Sequence, residues 1–293
     1  MISIVIASAN QKMIENVRKN VQETIGVAFE IIDFDNSSAT AGLCELYNRG
    51  AQLAKHEILC FMHEDIEIKT NGWGKKVIEI FNVHNPGILG IAGSTYKSST
   101  PSGWFPPLVF GDVSWRINVE QDSKYDGRER KHDYYNPKNE SLSEVACVDG
   151  VWFCTTRMIA LKHKFDEELL KGFHGYDIDF SLNVGRNYKL FVTFDILLYH
   201  ASEGNFATAW LNEMIKVHFK WEKLLPKNIH QFSESEIVEK EKIALYKFFG
   251  TLTKNKDFTF KGVLILLMYY YKKRRISSLR LSKFYLKARL NLK

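Results

Sequence analysis

Cysteine is scarce in this chain and shows no pairing pattern. Four cysteines occur among 293 residues, no two of them form a C-x-x-C pair, and three lie in apolar runs. Disulfide frameworks and zinc sites depend on closer or denser cysteine patterns. We therefore expect Cys44, Cys60, Cys147 and Cys154 to be reduced core residues of a cytosolic protein.

The chain also lacks the marks of exported and membrane-spanning proteins. Residues 1–6 have neither the basic start nor the long apolar centre of a signal peptide, and they favour a first strand instead. The apolar run 263–268 is much shorter than the about 20 residues that cross a bilayer. There is no internal repeat and no low-complexity segment.

Acidic residues are missing from the last part of the chain. Residues 258–293 contain ten of the 40 Lys and Arg residues and none of the 34 Asp and Glu residues. The preceding part is therefore mildly acidic, although the whole chain has a net charge of +6. A length of 293 residues predicts one large α/β domain with an appendage, or two domains.

The N-terminal part has the alternating pattern of a βαβαβ unit. Apolar runs at 2–7, 30–34 and 57–62 predict strands, and helical spacing predicts helices from about Met13 to Gly26 and over 43–54. Such units form parallel sheets whose ligands collect beyond the carboxyl ends of the strands. Acidic residues stand at these ends, namely Asp33, Asp35, Glu64 and Asp65.

The rest of the chain is less regular. We expect a helix over 74–82, a strand over 88–92, a loop over 94–107 that carries Trp104 and Phe105, and an irregular insertion over 112–144 with a basic cluster at 128–131. A strand-like run over 145–155 is interrupted at Asp149-Gly150, a helix begins near Asp177, and a late strand over 189–199 ends at His200. Residues 205–293 are predicted to be helical.

This order of segments resembles the GT-A glycosyltransferases of the family-2 type. The similarity covers roughly residues 1–205. Two segments, Phe61-Met62-His63-Glu64-Asp65 and Pro101-Ser102-Gly103-Trp104, are similar to a bacterial glycosyltransferase-like branch of this family. It implies an α/β, Rossmann-like fold with a mostly parallel central sheet and flanking helices. The transferase domain would span 1–204, with a nucleotide-binding half over 1–93 and an acceptor and catalytic half over 94–204. A helical, basic extension would follow over 205–293.

The resemblance also implies a donor site and a metal site. The Asp35-Asn36-Ser37-Ser38 segment stands where the family binds the base or ribose, with Ala7 and Ser8 lining the pocket, although the same segment could be a simple turn. His63, Glu64 and Asp65 replace the family's Asp-x-Asp motif, so Asp65 maps onto a ligand of Mn²⁺ or Mg²⁺. His200 resembles the histidine that completes such a site. Mn²⁺ would accept its imidazole more readily than Mg²⁺ would. Alternatively, His200 is a hydrogen-bonded structural residue.

The acceptor side follows from the same resemblance. Asp177 matches the general base that removes the proton of the acceptor hydroxyl, with helix capping as the alternative role. Tyr176 replaces a family Glu, and Asp179 would support the helix start. The other predicted acceptor contacts are Asp149, Gly150, Trp152 and His174. A β-bulge is the alternative interpretation of Asp149-Gly150.

The basic tail suggests a membrane partner. An apolar run at 263–268 is followed by three tyrosines and the cluster Lys272-Lys273-Arg274-Arg275, which suits an interfacial helix on an anionic leaflet. A core-packing helix with a solvated basic end is the alternative. Nucleic acid is not expected, because no nucleic-acid-binding module precedes the tail.

Taken together, the sequence predicts a metal-dependent, inverting glycosyltransferase. It would move a sugar from a nucleotide-diphosphate donor, in particular a UDP-sugar, to a surface-glycan or lipid-linked acceptor in polysaccharide biosynthesis. The expected location is cytoplasmic and peripheral, at the inner face of a bacterial membrane. A nucleotidyltransferase is disfavoured, because residues 8–11 form no Gly-rich basic loop after the first strand. A membrane-bound scaffold with a degenerate site stays open, because His63 and Tyr176 depart from the family pattern.

Overall fold

The computed structural model describes residues 1–105, 113–122, 130–201, 208–273 and 276–292. Its elements are, in chain order, β1 (Ile2–Ser8), α1 (Gln11–Thr24), β2 (Phe29–Asp35), α2 (Leu43–Leu53), β3 (Ile58–Met62), β4 (Ile66–Ile68), α3 (Trp73–His84), β5 (Ile88–Gly90), β6 (Ala92–Ser94), β7 (Tyr96–Lys97), β8 (Trp115–Gln121), β9 (Lys131–Tyr135), β10 (Leu142–Val145), β11 (Cys147–Val148), β12 (Trp152–Thr156), α4 (Arg157–His163), α5 (Tyr176–Val184), β13 (Leu190–Thr193), β14 (Leu198–His200), α6 (Thr208–Lys220), β15 (Lys227–Asn228), α7 (Glu234–Leu252), α8 (Phe260–Lys272) and α9 (Ser278–Asn291).

The predicted βαβαβ unit is present. Strand β1 lies between β2 and β3 and is parallel to both. Its apolar side chains are buried because helices and a second sheet cover the two faces of the central sheet. Helix α1 begins after Asn10, whose side-chain oxygen accepts hydrogen bonds from the amides of Lys12 and Met13.

The central sheet is mixed, which corrects one detail of the expected α/β architecture. Its strand order is β10-β13-β5-β12-β3-β1-β2, and β12 is antiparallel to both β3 and β5. Helical crossovers keep consecutive strands of a sheet parallel. Strand β12 instead returns from the second sheet through the turn at Asp149 and Gly150, so it enters between β3 and β5 in the opposite direction.

A second sheet has the strand order β11-β6-β8-β14-β4, and β9 pairs with β8. The sequence analysis assigned residues 112–144 to an irregular insertion. That expectation is wrong for β8 and β9, which belong to the second sheet, and for β10, which belongs to the central sheet. The reason is that the many polar residues of this segment hide the alternation of Trp115, Ile117 and Val119 with polar residues, of which Arg116 and Asn118 are buried as well. Residues 128 and 129 of the basic cluster lie outside the described residues.

The described residues of the C-terminal part lie mainly in helices. Helices α7, α8 and α9 share a hydrophobic cluster with Leu211 of α6, whereas Met214 and Val217 of α6 belong to a cluster of the main body. The short strand β15 pairs with β7, so residues 205–293 are not helical throughout. The proposed domain limit at 204 falls among residues 202–207, outside the described residues, and stays a prediction.

Two further expectations can be compared with the described residues. The four cysteines are buried and form no disulfide, as expected. None of the described helices combines the length and the apolar character that a bilayer crossing requires.

Candidate active site

A cavity of about 640 Å³ opens where β1 and β3 end. Both sheets, helix α5 and helix α6 contribute to its wall. The predicted site residues that line it are Ala7, His63, Glu64, Asp65, Asp149, Gly150, His174, Tyr176, Asp177 and His200. The structure thus gathers, in one cavity, residues that are up to 193 positions apart in the sequence.

His63, Asp65 and His200 form a cluster that could hold a metal ion. One ligand atom from each lies within 4.8 Å of the other two. Nε2 of His200 is 3.4 Å from Oδ1 of Asp65, and Nδ1 of His63 is 3.9 Å from the same oxygen. The three side chains are only 22%, 17% and 11% exposed for His63, Asp65 and His200, so few water molecules compete for them.

The pairing of β4 with β14 explains this cluster. In this antiparallel pair Ile66 lies opposite His200, and the amide of Ala201 donates a hydrogen bond to the carbonyl of Asp65 at 3.0 Å. The short strand β4 directly follows the His63-Glu64-Asp65 segment, so the register fixes the distance between Asp65 and His200. Two imidazoles and one carboxylate suit a divalent transition ion such as Mn²⁺ better than Mg²⁺, which prefers oxygen ligands.

His63 is oriented by Tyr176, the residue that replaces the family's Glu. The phenolic O–H donates to the carbonyl of Gly150 at 3.1 Å, and Nε2 of His63 lies 2.9 Å from the phenolic oxygen. This network assigns the proton of His63 to Nε2 and leaves a lone pair on Nδ1, the nitrogen nearer to Asp65. Burial and the nearby His200 lower the pKa of His63, so its imidazole is neutral at neutral pH.

Asp177 begins helix α5 on the wall of the same cavity. Burial, followed by the nearby carboxylate of Asp149, raises its pKa from 3.8 to about 7. Backbone N–H groups partly oppose this shift. A carboxyl group that is half ionised near neutral pH is well suited to accept a proton during a reaction.

Glu64 organises the loop after β1. Its carboxylate accepts hydrogen bonds from the hydroxyl of Ser8 and from the amides of Ala9 and Asn10, the latter at 3.1 Å. These hydrogen bonds connect the end of β1 to the end of β3. Ala7 lines the cavity. Ser8 does not line it and instead donates a hydrogen bond to Glu64.

Besides Ser8, three predicted contacts lie away from the lining. Asp35 is exposed at the end of β2, where its carboxylate accepts a hydrogen bond from the amide of Ser37 at 2.9 Å. The indole of Trp152 is fully buried and packs edge-on against Trp73 at 5.9 Å. Asp179 is 1% exposed and binds the Lys220 ammonium and the Trp221 indole N–H, each at 2.7 Å.

The sequence analysis missed one wall of the cavity. Trp115, Ile117, Val119 and Gln121 of β8 all line it, because alternate residues of a strand face the same side. From β9, Asp133 joins them, and its carboxylate accepts a hydrogen bond from the side-chain amide of Gln121 at 2.6 Å. Their spacing of two residues is the signal that could have identified this wall. Trp210 and Met214 of α6 and Phe173 also line the cavity.

The fold and this cavity define the class of protein. An α/β body with the site at the carboxyl ends of its parallel strands is the arrangement of the GT-A glycosyltransferases. The model of the glycosyltransferase-like family matches residues 3–223, and the chain belongs to this family. It is therefore an enzyme, a glycosyltransferase. No curated protein sequence matches it.

Solved structures share the fold at low sequence identity. The 1–349 part of S. aureus TarS, solved with UDP-GlcNAc, is 12% identical with a TM-score of 0.52, covering 85% of this chain and 72% of that one. The same part solved with UDP is 13% identical with a TM-score of 0.51 and the same coverage. GalNAc-T7, solved with UDP, GalNAc and Mn²⁺, is 14% identical with a TM-score of 0.49 over 93% of this chain. The chain spans 57% of that protein's length.

Proposed function

We propose that this glycosyltransferase is metal-dependent and inverting, and that it takes its sugar from a nucleotide-diphosphate donor, in particular a UDP-sugar. The observation that carries the proposal is the presence of the His63, Asp65 and His200 cluster and of Asp177 in one cavity. TarS, which has the same fold, was solved with UDP and with UDP-GlcNAc, and this supports the choice of donor.

The metal ion would be held by His63, Asp65 and His200, with Tyr176 orienting the first of these. A divalent ion there would offset the negative charge of the donor diphosphate. Burial of the three side chains strengthens such an interaction, because the charges are poorly screened by water. Mn²⁺ fits this nitrogen and oxygen ligand set better than Mg²⁺.

Asp177 would act as the general base. As the acceptor oxygen forms its bond to the anomeric carbon, the bond from that carbon to the diphosphate breaks, and the hydroxyl proton passes to the Asp177 carboxylate. The nucleoside diphosphate leaves on the opposite face, so the anomeric configuration is inverted. A pKa of about 7 lets Asp177 accept this proton and release it afterwards near neutral pH.

The acceptor would be a glycan or lipid-linked glycan of a bacterial surface polysaccharide, reached at the inner face of the cytoplasmic membrane. Indole and phenyl rings of Trp104, Trp115 and Phe173 line the cavity and provide the flat apolar faces that sugar rings pack against. The scaffold alternative rested on the unusual His63 and Tyr176. Their mutual hydrogen bond, which aims His63 at Asp65, favours a working site over a degenerate one.

The test is a panel of nucleotide sugars assayed for hydrolysis and transfer with Mn²⁺, with Mg²⁺ and with a chelator. Asp65→Ala should abolish metal-dependent UDP binding in calorimetry. Glu67→Ala is the matched control, because Glu67 lies two residues further on and forms a surface ion pair with Lys69. Unchanged metal dependence in Asp65→Ala would contradict the metal assignment, and transfer of a nucleotide group rather than a sugar would contradict the reaction class.

A further inference from the structure

The apolar run of α8 is largely occupied by the core of the helical extension. Val263, Leu267 and Tyr270 are 0–3% exposed and pack in the cluster that also contains Phe249 and Phe284. Tyr270 meets Phe249 edge-on at 5.6 Å. Helix α8 contains the apolar run that the sequence analysis favoured as an interfacial helix. Its inward side packs against α7 and α9.

Exposed apolar side chains lie instead on the outward sides of α9 and α8. Leu279, Leu286 and Leu290 are 83%, 56% and 84% exposed, and their spacing of seven and four residues places them on one face of α9. This face is opposite the buried Phe284 and Ala288. On α8, Ile265 and Met268 are exposed as well.

The two helices form one layer. The rings of Phe260 and Tyr285 are 5.6 Å apart, and the hydroxyls of Tyr271 and Ser278 are 3.4 Å apart, so α8 and α9 run antiparallel side by side. Since both helices pack their buried sides into the same cluster, their exposed apolar residues face outward together. Scattered exposed leucines are ordinary on a protein surface, but a row on one helix with apolar neighbours on the next is not.

A cationic pocket adjoins this layer where α8 turns into α9. The open pocket has a volume of about 780 Å³ and is lined by Lys242, Tyr271, Lys272, Ile276, Ser277, Ser278 and Arg280. Lys272, Arg280 and the two serine hydroxyls suit a phosphate group, and Lys242 adds a third positive charge that pairs with the exposed Glu239 at 3.5 Å. Leu279, the first leucine of the α9 row, stands between the pocket residues Ser278 and Arg280 in the sequence. Arg274, Arg275 and Lys293 lie outside the described residues.

We propose that the outward face of α8 and α9 docks on an anionic phospholipid bilayer, with Leu279, Leu286 and Leu290 in the acyl boundary and a lipid phosphate in the pocket formed by Lys242, Lys272 and Arg280. The inference rests on the proposed membrane location and identifies the surface that would bind the membrane. Because residues 258–293 contain ten basic and no acidic side chains, a second copy of the chain would bring like charges together, whereas an anionic leaflet would complement them.

The experiment is sedimentation of the full chain with phosphatidylcholine vesicles that contain or lack about one third of phosphatidylglycerol. Wild type should bind only the anionic vesicles and should release at high salt, because exposed charges are screened. Leu279→Ser with Leu286→Ser and Leu290→Ser should lower the partition coefficient by at least about 10-fold. Lys272→Gln with Arg280→Gln should remove the preference for anionic lipid. The control combines Leu53→Ser, Val83→Ser and Met158→Ser, which alter equally exposed apolar residues of the body.

The outcomes separate the docking surface from the enzyme function. Vesicle binding that survives the leucine triple variant, or a triple variant that turns a dimer into a monomer in sedimentation velocity without changing vesicle binding, would overturn the proposal. UDP binding of the same variants should equal that of wild type, because these residues do not line the active-site cavity. A chain that binds vesicles as proposed but transfers no sugar would disprove only the proposed function.

Discussion

The phenolic oxygen of Tyr176 lies 2.9 Å from Nε2 of His63 and 3.1 Å from the carbonyl oxygen of Gly150. One hydroxyl therefore connects the start of α5, the turn before β12 and His63, one of the two histidines in the cluster that could hold a metal ion. Tyr176 itself does not belong to that cluster, and its effect on a metal ion would be indirect, through the tautomer and orientation of His63.

We expect Tyr176→Phe to weaken Mn²⁺ binding by roughly 10- to 100-fold, the range for loss of a group that orients a metal ligand. The ring and its packing against Tyr47 at 5.5 Å are kept, so the fold should be unchanged. Calorimetric titration with Mn²⁺ measures the effect. Tyr134→Phe is the control, because its hydroxyl lies at the surface beside Asn136. Equal Mn²⁺ affinity in Tyr176→Phe and wild type would rule out the orienting role.

Gly150→Ala should disturb the contact between Tyr176 and His63 through a steric clash. A Cβ atom at this position would lie 2.1 Å from the Tyr176 oxygen, so the ring must move and the hydrogen bond to His63 must break. We expect a loss of about 1–3 kcal/mol in the free energy of unfolding together with weaker Mn²⁺ binding. Chemical denaturation and calorimetry check the two effects. Gly172→Ala should change neither, because nothing lies within 4 Å of its added methyl group.

The sequence predicted those parts of the fold and of the site that depend on local patterns. The apolar run of β1 and the spacing of α1 are local signals, and they predicted the βαβαβ unit that the structure contains. Asp65 and His200 were predicted as metal ligands from the family resemblance and their places at strand ends, whereas His63 was predicted only as a donor-site residue. The role of His63 in the cluster depends on its contact with Tyr176, 113 residues away. No local pattern encodes that contact. The wall formed by β8 and β9 was missed because polar residues obscured its alternation.

Asp177 and Asp179 are two residues apart but should have different roles, Asp177 in catalysis and Asp179 in the stability of the fold. Asp179 is buried and accepts hydrogen bonds from Lys220 and Trp221, so Asp179→Ala would leave the Trp221 indole N–H without its acceptor, whereas the Lys220 ammonium would keep its ion pair with Asp166. We expect a loss of about 1–3 kcal/mol in the free energy of unfolding, and UDP affinity that is unchanged in the molecules that remain folded. The exposed Asp195→Ala is the control and should fall within about 0.5 kcal/mol of wild type. A stable Asp179→Ala variant with reduced turnover would instead favour the predicted acceptor role.

Asp177 should make the folded state less stable as the pH rises. Its pKa is raised from 3.8 to about 7, so the unfolded chain loses this proton at a lower pH than the folded chain does. The free energy of unfolding contributed by Asp177 therefore falls between pH 3.8 and about pH 7 and is constant above that range. Asp177→Asn removes the decline, so its melting temperature should exceed that of wild type at about pH 8 and match it at about pH 4. A parallel pH dependence in both proteins would contradict the raised pKa.

The same variant tests the proposed base. Asp177→Asn keeps the shape and hydrogen-bonding capacity of the side chain but cannot accept a proton, so turnover should fall by roughly 10²- to 10⁴-fold. The wild-type rate should rise with pH through about 7, because only the carboxylate form can take the proton of the acceptor hydroxyl. UDP affinity should barely change, since the base acts on the acceptor and not on the diphosphate. The decisive measurement pairs calorimetry with transfer rates on the same protein. Loss of both quantities would indicate a structural cap or a metal ligand, and retention of both would move the base to Asp149, the carboxylate whose charge helps to raise the pKa of Asp177.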